Sequence, residues 1–152
     1  EGKYIIKGIM VGLNFLHSFD LIHRDIKPEN VFMMFGEPKI GDFGLTACVK
    51  NQLRMSFCGT VDYMSPEILK RMKYGKDVDL WCLGVLVYEI IVGRPPYIGN
   101  DDQDVMNMIM FSELDLPDSI SIHLRDFLRR LVDSNPNKRM ELNRLIDHPW
   151  LK

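Results

Sequence analysis

The sequence predicts a mainly α-helical domain with one small β-hairpin, and three observations carry that expectation. Residues 77–92 place Val78, Trp81, Leu83, Val85, Leu86, Ile90 and Ile91 on nearly every side of a helix, the pattern of a helix buried at the centre of a fold. Several other segments repeat their apolar residues at helical spacing. One pair of short β-prone runs, 31–34 and 39–41, faces itself across a turn.

Taken in order, Ile6, Ile9, Leu13 and Leu16 predict an amphipathic helix over about residues 3–18, ending near Ser18 to Asp20. The run 31–34, the turn Phe35-Gly36-Glu37-Pro38 and the return run 39–41 make the hairpin. No period survives from 45 to 64, so this stretch is expected to be a long functional loop, with a short helix at 66–71 after it. Asp77 is expected to cap the central helix, which Gly93-Arg94-Pro95-Pro96 stops. After the polar turn Asn100-Asp101-Asp102, Val105, Met108 and Ile109 predict a helix whose other side carries Met106 and Met110, as core filling or as a partner surface. Leu124, Phe127, Leu128, Leu131 and Val132 predict another, capped by Ser121, and a last short helix is expected at 142–146 before His148-Pro149-Trp150.

A chain of 152 residues is long enough for one domain with a real core. Its 19 basic and 21 acidic residues leave a net charge of −2, so no attraction to nucleic acid or to an anionic membrane is expected. The most apolar run, 80–92, contains Glu89 and falls short of the ~20 residues that span a bilayer. Cys48, Cys58 and Cys82 lack metal-type spacing, and an odd count predicts reduced thiols in a cytoplasmic or nuclear setting. The chain opens on Glu1 inside a helical pattern, without a targeting segment, and is expected to be a fragment.

The chemistry concentrates in the octet His23-Arg24-Asp25-Ile26-Lys27-Pro28-Glu29-Asn30, which sets a carboxylate, an ammonium and a carboxamide in one short loop. Phosphoryl transfer needs such parts: a carboxylate to orient the attacking hydroxyl, cations against the phosphate charge, and oxygen ligands for Mg²⁺. The octet resembles the catalytic loop of eukaryotic protein kinases. Asp42-Phe43-Gly44, Ser65-Pro66-Glu67 and Asp79-Leu80-Trp81-Cys82-Leu83-Gly84 are similar to three further motifs of that family, in its order. Ser56-Phe57-Cys58-Gly59-Thr60 and Asp147-His148-Pro149-Trp150 look like Aurora kinases; Lys39-Ile40-Gly41-Asp42-Phe43-Gly44-Leu45 and Phe32 look like Polo-like kinases.

The resemblance implies the large, C-terminal lobe of a serine/threonine protein kinase, a partial domain over residues 1–152 with its hairpin beside the catalytic loop. It implies ATP and Mg²⁺ as cofactors. Asp25 and Lys27 would be catalytic, and alignment of the hydroxyl would be the larger contribution of Asp25. Lys27, Glu29, Asn30, Phe32 and Asp42 would face the nucleotide, with Asn30 and Asp42 on the metal. His23 would stack on Phe43, Asp79 would anchor the loop backbone, and Glu67 would pair with Arg139. Thr60 would bond Asp25 and Lys27, which favours serine and threonine as acceptors. Protein substrates with basic residues before the acceptor, read by Glu29, are implied, as is a regulatory partner.

The sequence carries no Gly-x-Gly-x-x-Gly loop and no Val-Ala-Ile-Lys strand, so the N-terminal β lobe is expected to be absent and the fragment inactive by itself. The alternative is a half-kinase binding or scaffold module. Ser56, two residues after Arg54, stands at the activating phosphosite of the resembled kinases, with Thr46 second. Arg24, expected to be unpaired until Ser56 is phosphorylated, would then bind the phosphate in fork geometry and order the segment.

Overall fold

In the computed structural model, which describes residues 2–152, the chain is built on helices, with two small antiparallel sheets. Helix α1, Gly2–Ser18, turns Ile6, Ile9, Met10 and Leu13 into the core. Strand β1, Leu21–Ile22, leads into the octet, and β2, Val31–Met34, and β3, Glu37–Ile40, form the hairpin behind it. Strand β4, Ala47–Cys48, returns to pair with β1. Helices α2, Pro66–Leu69, and α3, Asp77–Val92, follow, and then α4, Asp102–Phe111, α5, Ile122–Leu131, and α6, Leu142–Leu145. Among the described residues, no helix is long and apolar enough to cross a membrane.

Helix α3 is the axis. Residues 78–88 are all buried, and α1, α5 and the 3-10 turns Val61–Tyr63 and Pro136–Lys138 pack around the helix. Its last turn leaves the core, with Ile90 and Ile91 about two-fifths exposed (37% and 41%), so the all-round apolar pattern overstates burial there. The helix crosses α5 at Gly84, where an added Cβ would lie 2.4 Å from Val132 Cγ2 and 2.8 Å from Leu131 Cβ. Gly84→Ala is therefore expected to destabilise the protein by about 1–3 kcal/mol, because overpacking outweighs the gain in helix propensity. The urea midpoint of the purified protein measures it, and an unchanged midpoint would show that the crossing can yield.

Helix ends follow local chemistry, with one correction. The Asp101 carboxylate accepts from Asp104 N at 2.9 Å and the Ser121 hydroxyl accepts from Leu124 N at 3.2 Å, both side-chain caps. Asp77 does not cap α3. It is the first helical residue, and Lys76 precedes it without a side-chain cap bond. The backbone is already turning there, since Asp79 N donates to Lys76 O at 3.1 Å, so the first amides do not depend on a capping oxygen.

The hairpin turn is tighter than its sequence suggests. Pro38 belongs to β3, opposite Met33, and only Phe35 and Gly36 form the loop. Both have left-handed φ, 51° and 80°, as a two-residue turn matching the strand twist requires. Pro38 is tolerated because a two-stranded hairpin has only edges. The hairpin packs on α1, where an added Cβ at Gly8 would lie 2.2 Å from the Pro38 ring.

Candidate active site

The octet is held from below by one buried carboxylate. Asp79, in the first turn of α3 and fully buried, accepts from His23 N at 2.9 Å, from Arg24 N at 2.8 Å and from His17 Nε2 at 2.8 Å. Two amides converging on it hold Arg24 at φ 71°, a left-handed value that a non-glycine residue adopts only when its surroundings insist. His23 Nε2 donates to Gly41 O at 2.9 Å, which leaves Nδ1 to accept from Asp25 N at 3.2 Å. Its ring meets Phe43 edge-on at 5.4 Å, so the octet and Asp42-Phe43-Gly44 are joined by backbone and ring alike.

Around Asp25 the polar side chains converge. Thr60 Oγ1 donates to Asp25 Oδ1 at 3.0 Å and accepts from Lys27 Nζ at 2.7 Å. Lys27 Nζ also lies 3.3 Å from Asp25 Oδ2. Asn30 Nδ2 donates to Asp25 Oδ2 at 3.0 Å and to Asp25 O at 2.8 Å. Both carboxylate oxygens thus serve as acceptors only, and Asp25 is 9% exposed, so the group keeps a small accessible surface.

Because its amide nitrogen is spent on Asp25, Asn30 keeps its Oδ1 as an oxygen ligand. Gly41 N donates to Asn30 O at 2.9 Å and ties the hairpin's two ends together, which brings Asp42 to the same side. The Asp42 carboxylate is exposed and, among the described residues, accepts only from Gly44 N, at 3.2 Å. Among the described residues, no cluster of three or more His, Cys, Asp or Glu is positioned to hold a metal. An amide oxygen and a carboxylate, completed by water and phosphate oxygens, nevertheless suit Mg²⁺. Phe32, half exposed, lays its ring against Gly41, where an added Cβ would come within 2.5 Å of it, and Glu29 is exposed in the 3-10 turn Pro28–Asn30.

Farther out, Arg139 Nη1 and Nη2 donate to Glu67 Oε1 and Oε2 at 2.5 and 2.8 Å, a bidentate pair with both side chains buried. Arg24 is not unpaired. Its Nε donates to Leu45 O at 2.6 Å, and its Nη1 donates to Ser56 Oγ at 2.7 Å and to Tyr74 OH at 3.1 Å. Hydroxyls and a carbonyl engage Nε and Nη1 without any phosphate, and these contacts tie the segment to the octet with Ser56 unmodified. The Thr46 hydroxyl is buried and has no hydrogen-bond partner among the described residues.

Three contributors were missed in the sequence. His17 continues the buried face of α1 four residues after Leu13, and a polar residue at a core position was the available signal. Tyr74 stands in the polar stretch 71–76, where nothing local marks it. Asp62 gathers with Glu29, Glu89 and Asp102: burial first, then those three carboxylates, push the Asp62 carboxyl above its usual range. Tyr63 OH donates to Glu89 within the same group.

The sequence profile of the protein kinase domain matches residues 1–151. The chain belongs to the protein kinase domain family. Among similar kinases, an Aurora kinase of Dictyostelium discoideum is 40% identical over 141 residues, covering 92% of this chain and 37% of that protein. Aurora kinase A-A of Xenopus laevis is 40% identical over 147 residues, 96% of this chain and 36% of its own length. The serine/threonine-protein kinase PLK4 of Drosophila persimilis is 34% identical over 155 residues, all of this chain and 20% of its own. The kinase chain thus spans about a third of those Aurora relatives, and it shares the two resemblances read from its motifs.

Proposed function

We propose that this chain is the helical, C-terminal lobe of a serine/threonine protein kinase, which, joined to an N-terminal β lobe, transfers the γ-phosphoryl group of Mg-ATP to protein serine and threonine. The observation that carries the reading is the Asp25 carboxylate, fixed by Thr60, Lys27 and Asn30 with both oxygens accepting. An acceptor hydroxyl reaching its accessible surface would donate to Asp25 and be aligned for attack. Lys27 would steady the phosphate oxygens. Asn30 and Asp42 would hold Mg²⁺, which when bound with ATP neutralises the phosphate charge. Residues 1–152 by themselves, lacking a roof over the nucleotide, are proposed to be inactive.

The shared hydroxyl of Thr60 supports serine and threonine as acceptors. The grouping of Glu29, Asp62, Glu89 and Asp102 supports substrates with basic residues before the acceptor, because clustered carboxylates at a surface attract cations. Ser56, already bonded to Arg24, is proposed as the site where phosphorylation raises activity.

The full-length protein, given γ-labelled Mg-ATP and matched peptides offering serine, threonine or tyrosine, is expected to label the first two. Label confined to tyrosine would overturn the reading. Glu29→Ala is expected to reduce the preference for arginine-containing peptides about fivefold, on the scale of one ion pair at ~1 kcal/mol. An unchanged preference would remove Glu29 from substrate reading.

A further inference from the structure

Tyr74 stands at the centre of the contacts around Ser56 although neither the octet nor the segment contains it. Its ring is buried, 2% exposed, among Ile22, Met64, Ile68 and Val78. Its backbone forms a bridge to the segment: Arg54 N donates to Tyr74 O and Tyr74 N donates to Arg54 O, both at 2.9 Å. Its hydroxyl donates to Ser56 O at 2.9 Å, accepts from Arg24 Nη1 at 3.1 Å, and lies 3.1 Å from Ser56 Oγ and 3.8 Å from Cys58 Sγ.

A phenol has one proton to give. With Ser56 unmodified, that proton goes to the Ser56 carbonyl, and the Ser56 hydroxyl can in turn donate to the phenol oxygen. A phosphate on Ser56 removes that donor and brings about −1.5 to −2 charges and three strong acceptor oxygens to the same place. Rotation about a single C–O bond then redirects the tyrosine proton to the phosphate while the ring stays where it is. Arg24, already within reach of both oxygens, supplies the cation.

We infer that Tyr74 is a positioning residue that reads the phosphorylation state of Ser56, its hydroxyl donating to the Ser56 carbonyl in the unmodified protein and to the phosphate in the modified one. The inference rests on the reading of Ser56 as a phosphosite. It assigns the switch a neutral, buried donor beside the partly buried guanidinium, on the loop before α3 rather than on the segment itself.

The experiment uses full-length protein with serine or phosphoserine installed at position 56 during translation, in the wild type and in Tyr74→Phe, which keeps the ring and removes only the donor. Two quantities are read: the ratio of kcat/KM between the phosphorylated and unmodified forms, and the ³¹P titration midpoint of the phosphoserine. In Tyr74→Phe the ratio is expected to fall about tenfold, the worth of one hydrogen bond to a charged group. The ³¹P midpoint should rise, because a donor to the dianion is lost. A wild-type ratio of one would overturn the Ser56 reading and this inference with it. A large wild-type ratio, with either quantity unmoved in Tyr74→Phe, overturns the role of Tyr74 and leaves Ser56 standing.

Discussion

Asp25→Asn in the full-length kinase is expected to lower kcat by about 10³-fold, within the range that a positioned acid-base group contributes. The substitution is nearly isosteric, yet it inverts one of two oxygens that now only accept. Thr60 Oγ1, Asn30 Nδ2 and Lys27 Nζ all present protons to this carboxylate, so an amide would set a donor against a donor. The acceptor hydroxyl would lose its partner at the moment of attack, while nucleotide binding should be retained. Asp42→Ala is expected to abolish turnover differently, by weakening the hold on Mg-ATP. Because Asp42 is exposed, the fold should not suffer. Single-turnover rates beside nucleotide affinity separate the two. If Asp25→Asn kept the wild-type rate with Mg-ATP saturating, the proposed mechanism would fail.

The second large effect concerns stability. Arg139→Ala is expected to cost about 3–5 kcal/mol, because it strands the buried Glu67 carboxylate. The loss spreads further than one pair, since Arg139 Nε also donates to Asp133 O and Nη1 to Asp77 O, each at 2.9 Å, and the guanidinium lies 5.1 Å over the Trp81 ring. Arg139 thus ties the starts of α2 and α3 to the turn after α5. Adding Glu67→Leu to Arg139→Met should cost less than Arg139→Ala alone, because no buried charge is then left unpartnered. Denaturant midpoints decide the order, and an Arg139→Ala protein as stable as wild type would show that the pair holds nothing.

The sequence made the helices legible wherever burial is periodic or complete. The bounds of α3 follow from its apolar run and from Gly93, which adopts φ 84° as the stop predicts. The pairing of Leu21–Ile22 with Ala47–Cys48 had no such signal, because two-residue strands have no period and their partner lies a whole hairpin away. The residues around Asp25 could be named from their motif. That Thr60 bridges Lys27 and Asp25 is a fact of geometry across more than thirty residues, consistent with the family resemblance rather than with any local pattern. Arg24 shows the opposite failure: its charge was plain, but the carbonyl and hydroxyls that quench it come from three separate places in the chain.

The anchoring of the octet by Asp79 joins residues 55 and 56 positions apart in the chain. A loop ordinarily holds its shape through its own turns, and its conformational freedom is its own to lose. Here the two amides that set the shape are satisfied only after α3 has docked against α1, since His17 on α1 approaches the same carboxylate. Before that docking, the backbone at Arg24 has no reason to occupy its left-handed conformation, which costs on the order of 1–3 kcal/mol. Folding of the core and assembly of the site are therefore one cooperative event: a chain whose core has formed already holds its octet in place, and a partly folded chain offers no half-built site.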